Sequence, residues 1–366
     1  MQDLSHISVV LPSLDPDEKL TKVIDGLLGI GFTDIILIND GSKPENLHYF
    51  EDAEKLHPEI HVLHHEVNKG KGAALKNAFS WFLQNRPDFQ GVVTVDGDNQ
   101  HHPEDTRACC ERMLSSGHVV LGCRDFSQKD VPARSSFGNK TTSAIFKIFC
   151  GITLSDTQTG LRAIPAKYLE EFCQVKGDRF EYETNMLLVM KDLGIDFEEQ
   201  KIRTVYIEEN ASSHFHVIRD SWRIYKLILK HFFRYTISSL VSAVVDVTAF
   251  ALLSHITKSI LTGLALTAVP AVAARIISSL LNFFMNKKLV FETDVHTGKA
   301  LLRYYALAVP MMIAQVLLTH GVYALFSIAP SAEFLRSFIY TMVMIVLFLV
   351  SYMVQQRWVF APKKSD

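Results

Sequence analysis

VVTVDGDNQHHPED, residues 92–105, runs a short β-branched segment straight into Asp96-Gly97-Asp98 and a polar stretch. Val92 to Val95 read as a buried strand, and Asp, Asn and Gly are ordinary turn residues. A tight turn accounts for the segment by itself. A divalent cation accounts for more. Asp96, Asp98 and Gln100 supply hard oxygen ligands from one turn, a set that suits Mg2+ shared with phosphates. The rest of the chain decides between the two.

Outward from this turn, apolar β-rich runs (7–11, 35–38, 61–63, 92–95, 119–122) alternate with helical patterns (17–28, 44–56, 70–84, 103–115). The alternation predicts an α/β domain with a parallel sheet and crossover helices. In such sheets ligands bind at the carboxyl ends of the strands. Two acidic turns fall there, Asn39-Asp40-Gly41-Ser42 and Asp96-Gly97-Asp98-Asn99-Gln100, and two on one edge weigh more than either alone. No GxGxxG or GxxxxGK[ST] occurs, so neither a dinucleotide fold nor a P-loop is supported.

The 366 residues suggest two or three domains, and a net charge of −2 offers no reason to expect nucleic acid. Residues 1–230 are an ordinary polar mixture, whereas 235–360 are mostly apolar. The five cysteines (Cys109, Cys110, Cys123, Cys150, Cys173) all lie in the polar half without a CxxC spacing, and are expected to be reduced. The start, MQDLSHISVV, lacks the basic residues and apolar run of a signal peptide, so the polar half is expected in the cytoplasm.

Stretches at about 235–256, 261–285, 304–328 and 336–356 reach the roughly 20 apolar residues that a bilayer span takes. Arg234, Lys287, Lys288, Lys299, Arg303, Arg357, Lys363 and Lys364 gather at one set of ends, against Lys258 and Arg336 at the other. The positive-inside rule puts both termini and the 286–303 loop in the cytoplasm, making a multi-pass protein of the cell membrane. Arg234-Tyr235 returns as Arg303-Tyr304, and Val290-Phe291 as Val359-Phe360, each 69 residues later. A parallel duplication of two helical hairpins follows. Asp246 and Arg275 lie mid-span, where charge is costly and is paired or functional. An ion pair between them is expected, with a polar path for a lipid head group as the alternative. Just before the first span, 219–234 sets Arg219, Arg223, Lys226, Lys230 and Arg234 on one helical face, opposite Trp222, Tyr225, Ile228, Leu229 and Phe232. That pattern predicts an interfacial helix on the anionic leaflet in preference to one packed on the polar domain.

Several motifs stand in a fixed order: Pro12; Asn39-Asp40-Gly41-Ser42; Asn68-Lys69-Gly70-Lys71-Gly72; Asp96-Gly97-Asp98-Asn99-Gln100; Asp156-Thr157-Gln158-Thr159-Gly160-Leu161-Arg162; and Phe180-Glu181-Tyr182-Glu183. With them, residues 5–230 resemble a family 2 glycosyltransferase of the GT-A fold, of the dolichol-phosphate mannosyltransferase or bacterial polyprenyl-phosphate glucosyltransferase type. Residues 230–362 resemble the GtrA-like membrane family through Asn-Phe-x-x-Asn-Lys-x-x-Val-Phe, Asn282 to Phe291. Two departures stand out. Pro12-Ser13-Leu14-Asp15-Pro16 replaces Pro-x-Tyr-Asn-Glu, and Asn39 replaces the first acid of its motif, leaving Asp40 to hold the nucleoside. The expected layout is a GT-A domain over 1–218, the interfacial helix over 219–234 and a four-span domain over 235–362.

The resemblance implies a metal-dependent, inverting transfer of a hexose from a nucleotide-diphosphate sugar, of the GDP-mannose or UDP-glucose type. The acceptor would be polyprenyl (dolichyl or undecaprenyl) phosphate at the cytoplasmic membrane face, giving a lipid-linked sugar for cell-envelope glycosylation. Mg2+ or Mn2+ is the implied cofactor, held by Asp96, Asp98 and Gln100. Pro12, Asp40, Asp96 and Arg203 would face the nucleotide-sugar, and Arg124, Arg134 and Ser135 the acceptor phosphate. Asp156 would orient or deprotonate the acceptor, and Asp98 and Arg124 complete the catalytic set. A phosphate monoester, with a second pKa of about 6, is already mostly anionic, so positioning outweighs a strong base. Arg203 and Ser213-His214-Phe215 are expected to close over the diphosphate. The partners are thus nucleotide-sugar, polyprenyl phosphate and bilayer, without nucleic acid, and a homo-oligomer is compatible. Lys71 is open to a structural or a ligand-binding reading, while His64-His65 and His101-His102 are expected at the surface. Gln355-Gln356-Arg357-Trp358 falls one residue short of the processive-synthase signature and reads as a membrane-interface anchor. The alternative function is a lipid-linked-sugar translocase whose cytoplasmic domain only binds nucleotide-sugar.

Overall fold

The computed structural model describes residues 2–126, 131, 133–203 and 217–361, in two compact units, Met1–Tyr225 and Lys226–Asp366. The first unit opens with strand β1 (Ile7–Ser13), helix α1 (Glu18–Gly29), β2 (Ile35–Asn39), α2 (His48–Leu56), β3 (Ile60–His64) and α3 (Lys71–Asn85). It continues with β4 (Gly91–Thr94), α4 (Pro103–Ser116), β5 (Val119–Arg124), α5 (Ala133–Ile145) and β6 (Arg162–Pro165). Helices α6 (Leu169–Cys173) and α7 (Glu181–Leu193) and strand β7 (Phe197–Ile202) complete it. The alternation read from the sequence is present, except that the helix expected over 44–56 is a 3-10 turn at Pro44–Asn46 followed by α2.

One sheet of seven strands runs β3-β2-β1-β4-β6-β5-β7. Strands β2 and β4 are buried at every position, as continuous apolar strands covered on both faces must be. The sheet is mixed, which corrects the all-parallel expectation. Strands β1 to β4 are parallel, but β6 is antiparallel to β4 and β5, with Arg162 opposite both Thr94 and Leu121. Four residues, Arg-Ala-Ile-Pro, carry no period from which a direction could be read. The reversal has a consequence for function. The start of β6, and the 156–161 loop that feeds it, reach the edge where β1, β2 and β4 end. Strand order turns over between β1 and β4, the crevice where open α/β sheets hold ligands.

Helix α8 (Val217–Thr257) leads into the second unit, so the expected interfacial helix and first span form one continuous helix. Along its described part, Ile224 and Ile228 are buried and Trp222, Lys226 and Lys230 are exposed. Helices α9 (Ala265–Met285), α10 (Thr297–Leu325) and α11 (Glu333–Val354) follow. Ile228–Thr257, Ala265–Val290, Thr297–Leu325 and Glu333–Val359 are long and apolar enough to cross a membrane.

The duplication is visible in space. Single π-helical turns close α9 and α11 at Asn286–Val290 and Gln355–Val359, 69 residues apart. Arg234 Nη1 donates to Leu289 O at 3.2 Å, and its repeat mate Arg303 makes the equivalent bond to Trp358 O at 2.8 Å. Mates also meet each other. Asn286 Nδ2 donates to Gln355 Oε1 at 3.0 Å, and Phe291 stacks on Phe360 with ring centroids 5.0 Å apart. Such self-pairing places a pseudo-two-fold axis between the hairpins. Gln355 is buried and also donates to Tyr235 OH at 3.0 Å, so it is a central polar contact and not an interface anchor. Trp358, in the same π-helical turn, is exposed. The mid-span ion pair forms, with Arg275 Nη2 at 3.1 Å from Asp246 Oδ2 and Ser278 Oγ donating to Asp246 Oδ1 at 2.8 Å.

Candidate active site

Strand β4 carries the chain to Asp96 at the carboxyl edge of the parallel strands. Asn99 sits in the left-handed region at φ 63°, which Asn tolerates better than most residues. Asp98 closes the turn by accepting from the Gln100 N–H at 3.1 Å. Beyond it, His102 caps α4 by accepting from Glu104 N–H, and Pro103 opens the helix where a missing N–H costs nothing. The acids are thereby pinned between a strand end and a helix start.

Asp96 Oδ1 lies 2.7 Å from Lys71 Nζ, and Oδ2 lies 3.4 Å from His101 Nε2. Burial opposes the Asp96 charge, but Lys71 and His101 outweigh it and hold the carboxyl well below its ordinary range. Lys71 also reaches Glu183 Oε1 at 3.1 Å. Burial pulls its pKa down, yet the two carboxylates win and keep the ammonium charged. Asp98 is pushed the other way, upward, by burial first and by the Asp96 charge second. His101 is nearly enclosed, which corrects the expectation of a surface pair at 101–102.

At the end of β2, Asp40 is also enclosed. Its Oδ1 accepts from Lys69 N–H at 3.0 Å and pairs with His65 Nδ1 at 2.7 Å, while Oδ2 accepts from Gly70 N–H at 2.8 Å. Three of roughly four acceptor positions on the carboxylate are thus spent on the 65–70 segment. His65 is accordingly buried, against the surface expectation, whereas His64 is exposed. Gly70 has φ 101°, and a β-carbon there would overlap Asp178 O, so this motif glycine is required by both conformation and space. Pro12 lies beside Ile38 in the β1–β2 ladder, and the departing Asp15 accepts from Lys43 N–H at 2.8 Å, bracing the neighbouring turn.

The Asp156 loop meets the Asp96 turn directly. Thr94 Oγ1 donates to Gly160 O at 2.6 Å, and a β-carbon on Gly160 would collide with the Asp96 carboxylate. In the same loop Asp156 receives Arg124 in a fork, Nε to Oδ2 at 2.7 Å and Nη2 to Oδ1 at 3.2 Å. The Asp156 side chain is 0% exposed and Arg124 is 22% exposed. The Asp156 carboxylate has no open surface, and both of its oxygens face Arg124. It orients Arg124, and Arg124 carries the open surface. Asn139, on α5, ties this loop to the helix by donating to Ser155 O at 2.6 Å.

Arg134 and Ser135 belong to the first turn of α5, which starts at Ala133. The Arg134 side chain lies outside the described residues, as do Ser213-His214-Phe215. Arg203 follows β7 and is half-exposed, its N–H donating to Asp105 Oδ2 at 3.0 Å in the first turn of α4. A surface hollow lined by Asp3, Gln90, Met113 and Pro165 sits at the opposite ends of β4 and β6, away from all of these groups.

Residues 8–172 match the family model described as Glycosyl transferase family 2, and residues 234–360 match GtrA/DPMS, transmembrane domain. The chain is a family 2 glycosyltransferase joined to a GtrA/DPMS membrane domain. Among its relatives is a UDP-N-acetylglucosamine–dolichyl-phosphate N-acetylglucosaminyltransferase of Methanococcus voltae, 24% identical over 61% of this chain and 95% of that one. A polyprenol monophosphomannose synthase of Mycolicibacterium smegmatis is 23% identical over 44% of this chain and 63% of its own length. Among solved structures, a glucosyl-3-phosphoglycerate synthase of Mycobacterium tuberculosis, crystallised with Mn2+, UDP and phosphoglyceric acid, is 16% identical at a TM-score of 0.48, covering 62% of this chain and 78% of that one. In the glycosyltransferase domain, sequence reasoning missed the grip of Lys71 on Asp96 and Glu183. It also assigned no role to Arg162, which is fully buried and donates through Nη1 to Glu183 O at 2.9 Å. The motif glycines flanking Lys71 were the available signal.

Proposed function

We propose that the protein transfers a hexose from a nucleotide-diphosphate sugar of the GDP-mannose or UDP-glucose type to a polyprenyl phosphate, with inversion, at the cytoplasmic face of the membrane. The observation that carries the reading is the packing of Gly160 on the Asp96 carboxylate. It brings an arginine suited to a phosphate monoester beside a turn suited to a diphosphate. The relatives named for dolichyl and polyprenol phosphates, and the GtrA/DPMS domain on the same chain, support that acceptor class.

In this reading an oxygen of the acceptor phosphate attacks the anomeric carbon as the bond to the nucleoside diphosphate breaks. The diphosphate takes the electron pair, and the new phosphodiester joins sugar to lipid. Arg124, held by Asp156, and Arg134, with Ser135 beside it, fix the acceptor phosphate, where a guanidinium fork matches the oxygens. Among the described residues no three His, Cys, Asp or Glu side chains form a ready metal cage. Asp96, Asp98 and Gln100 fit instead a cation that completes its shell with phosphate oxygens. Bound there, Mg2+ or Mn2+ supplies charge neutralisation for the departing diphosphate. Asp40 shapes the nucleoside side of the crevice through the 65–70 segment, with Pro12 at the end of β1, and Arg203 stands at its α4 side.

The test is incubation of the full-length protein with undecaprenyl or dolichyl phosphate and a panel of nucleotide-sugars, reading lipid products by mass spectrometry. One donor should yield polyprenyl phosphate heavier by one anhydrohexose, with one nucleoside diphosphate released per product. Binding of the nucleotide-sugar without any lipid-linked product would favour a translocase. The proposed orientation has its own check. Cysteines placed at 257–260 and 329–334 should label from outside and cysteines at 292–298 should not, and the reverse pattern would put the catalytic domain on the outer face.

A further inference from the structure

We propose that Lys71 is a built-in counter-cation that occupies Asp96 until a divalent ion displaces it towards Glu183, so that metal and donor bind together. Lys71 Nζ is shared between Asp96 Oδ1 at 2.7 Å and Glu183 Oε1 at 3.1 Å, and all three side chains are largely enclosed. Asp96 is also one of the oxygens assigned to the metal. Two cations cannot sit on one carboxylate oxygen without strong repulsion, which at a few ångströms in a partly buried site outweighs the loss of a single hydrogen bond. Glu183 gives the displaced ammonium somewhere to go. It is a second carboxylate already in contact, its backbone is anchored by the buried Arg162, and its α7 helix packs against the Gly72 backbone through Tyr182. The terminal torsion of a lysine moves its nitrogen far enough to trade one partner for the other.

The arrangement keeps the acids neutralised when no donor is present and penalises a metal arriving alone. A metal brought with a nucleoside diphosphate regains that cost from its phosphate ligands. The inference unites two motifs left without a role, Gly70-Lys71-Gly72 and Phe180-Glu181-Tyr182-Glu183. It rests on the reading of Asp96, Asp98 and Gln100 as the metal site.

The test is Mn2+ binding to the full-length protein in nanodiscs, followed by electron paramagnetic resonance, with and without UDP or GDP. Lys71→Met should bind Mn2+ alone about tenfold more tightly, because the competitor is gone. Glu183→Gln should bind it about tenfold more weakly, because the ammonium is confined to Asp96. The double variant should match Lys71→Met, since Glu183 acts through Lys71. The tightening of Mn2+ by nucleoside diphosphate should shrink in Lys71→Met. Unchanged or weaker Mn2+ binding in Lys71→Met, or additive effects in the double variant, would overturn the inference. Should Lys71→Met not fold, Glu183→Gln with unaltered Mn2+ binding would overturn it equally. If wild type binds Mn2+ no better than Asp98→Ala, the metal site itself is wrong. If Asp98→Ala loses Mn2+ and Lys71→Met does not tighten it, only the role of Lys71 falls.

Discussion

The Asp96–Gln100 turn and the 155–160 loop touch at Gly160, yet they hold their carboxylates in opposite ways. Asp96 is 30% exposed and divides its oxygens between an ammonium and an imidazole. Asp156 is 0% exposed and gives both oxygens to one guanidinium. The first pairing is shared between two partners and partly exposed, which suits the site proposed for a metal and a leaving diphosphate. The second is closed and fixes the direction of Arg124. Nearby carboxylates on one sheet edge are therefore held differently, and exposure separates them where sequence context does not.

The widest separation should come from removing one acid in each region. Asp98→Ala should reduce lipid-linked product to background, because the diphosphate loses its cation, whereas Asp156→Asn should retain measurable transfer. Equal residual activity in the two would erase the distinction. Asp156→Ala should act mainly on the fold. Leaving Arg124 without its buried partner costs about 3–5 kcal/mol, a fall of roughly 6–20 °C in the melting temperature of the full-length protein. Asp98→Ala should melt near wild type, since Asp98 is less enclosed and its retained upward shift marks an unfavourable charge. The smallest effect should come from Arg134→Ala. Losing one charge-assisted phosphate contact costs about 1.5–3 kcal/mol, or roughly 10- to 150-fold in kcat/KM for polyprenyl phosphate. Nucleoside diphosphate affinity should stay within a few-fold of wild type. A tenfold loss of that affinity with an unmoved acceptor KM would place Arg134 on the donor side.

The placement of the Asp96–Gln100 turn at the end of a buried strand was legible because an apolar β-rich run leads straight into acidic and polar turn residues. The membrane duplication was legible because its polar and aromatic markers keep one offset, and the structure adds that Asn286 and Gln355 bond to each other across it. The Asp246–Arg275 pair was legible from the expense of mid-span charge. What could not be read was set by long-range packing. Lys71 and Glu183 are distant in sequence and meet only because α7 packs on the 70–72 turn. That Arg124, at the end of β5, covers the Asp156 carboxylate is a contact that nothing local in either segment shows. The antiparallel direction of β6, which delivers that loop to the site, lies below the resolution of a four-residue pattern.

Binding of Mn2+ in the presence of nucleoside diphosphate, compared among wild type, Asp98→Ala and Asp156→Asn in the full-length protein, tests the central division most directly. The account predicts a site in wild type and in Asp156→Asn with similar affinity, and its loss in Asp98→Ala. Mn2+ binding that survives Asp98→Ala, or that disappears with Asp156→Asn while the protein remains folded, would contradict it.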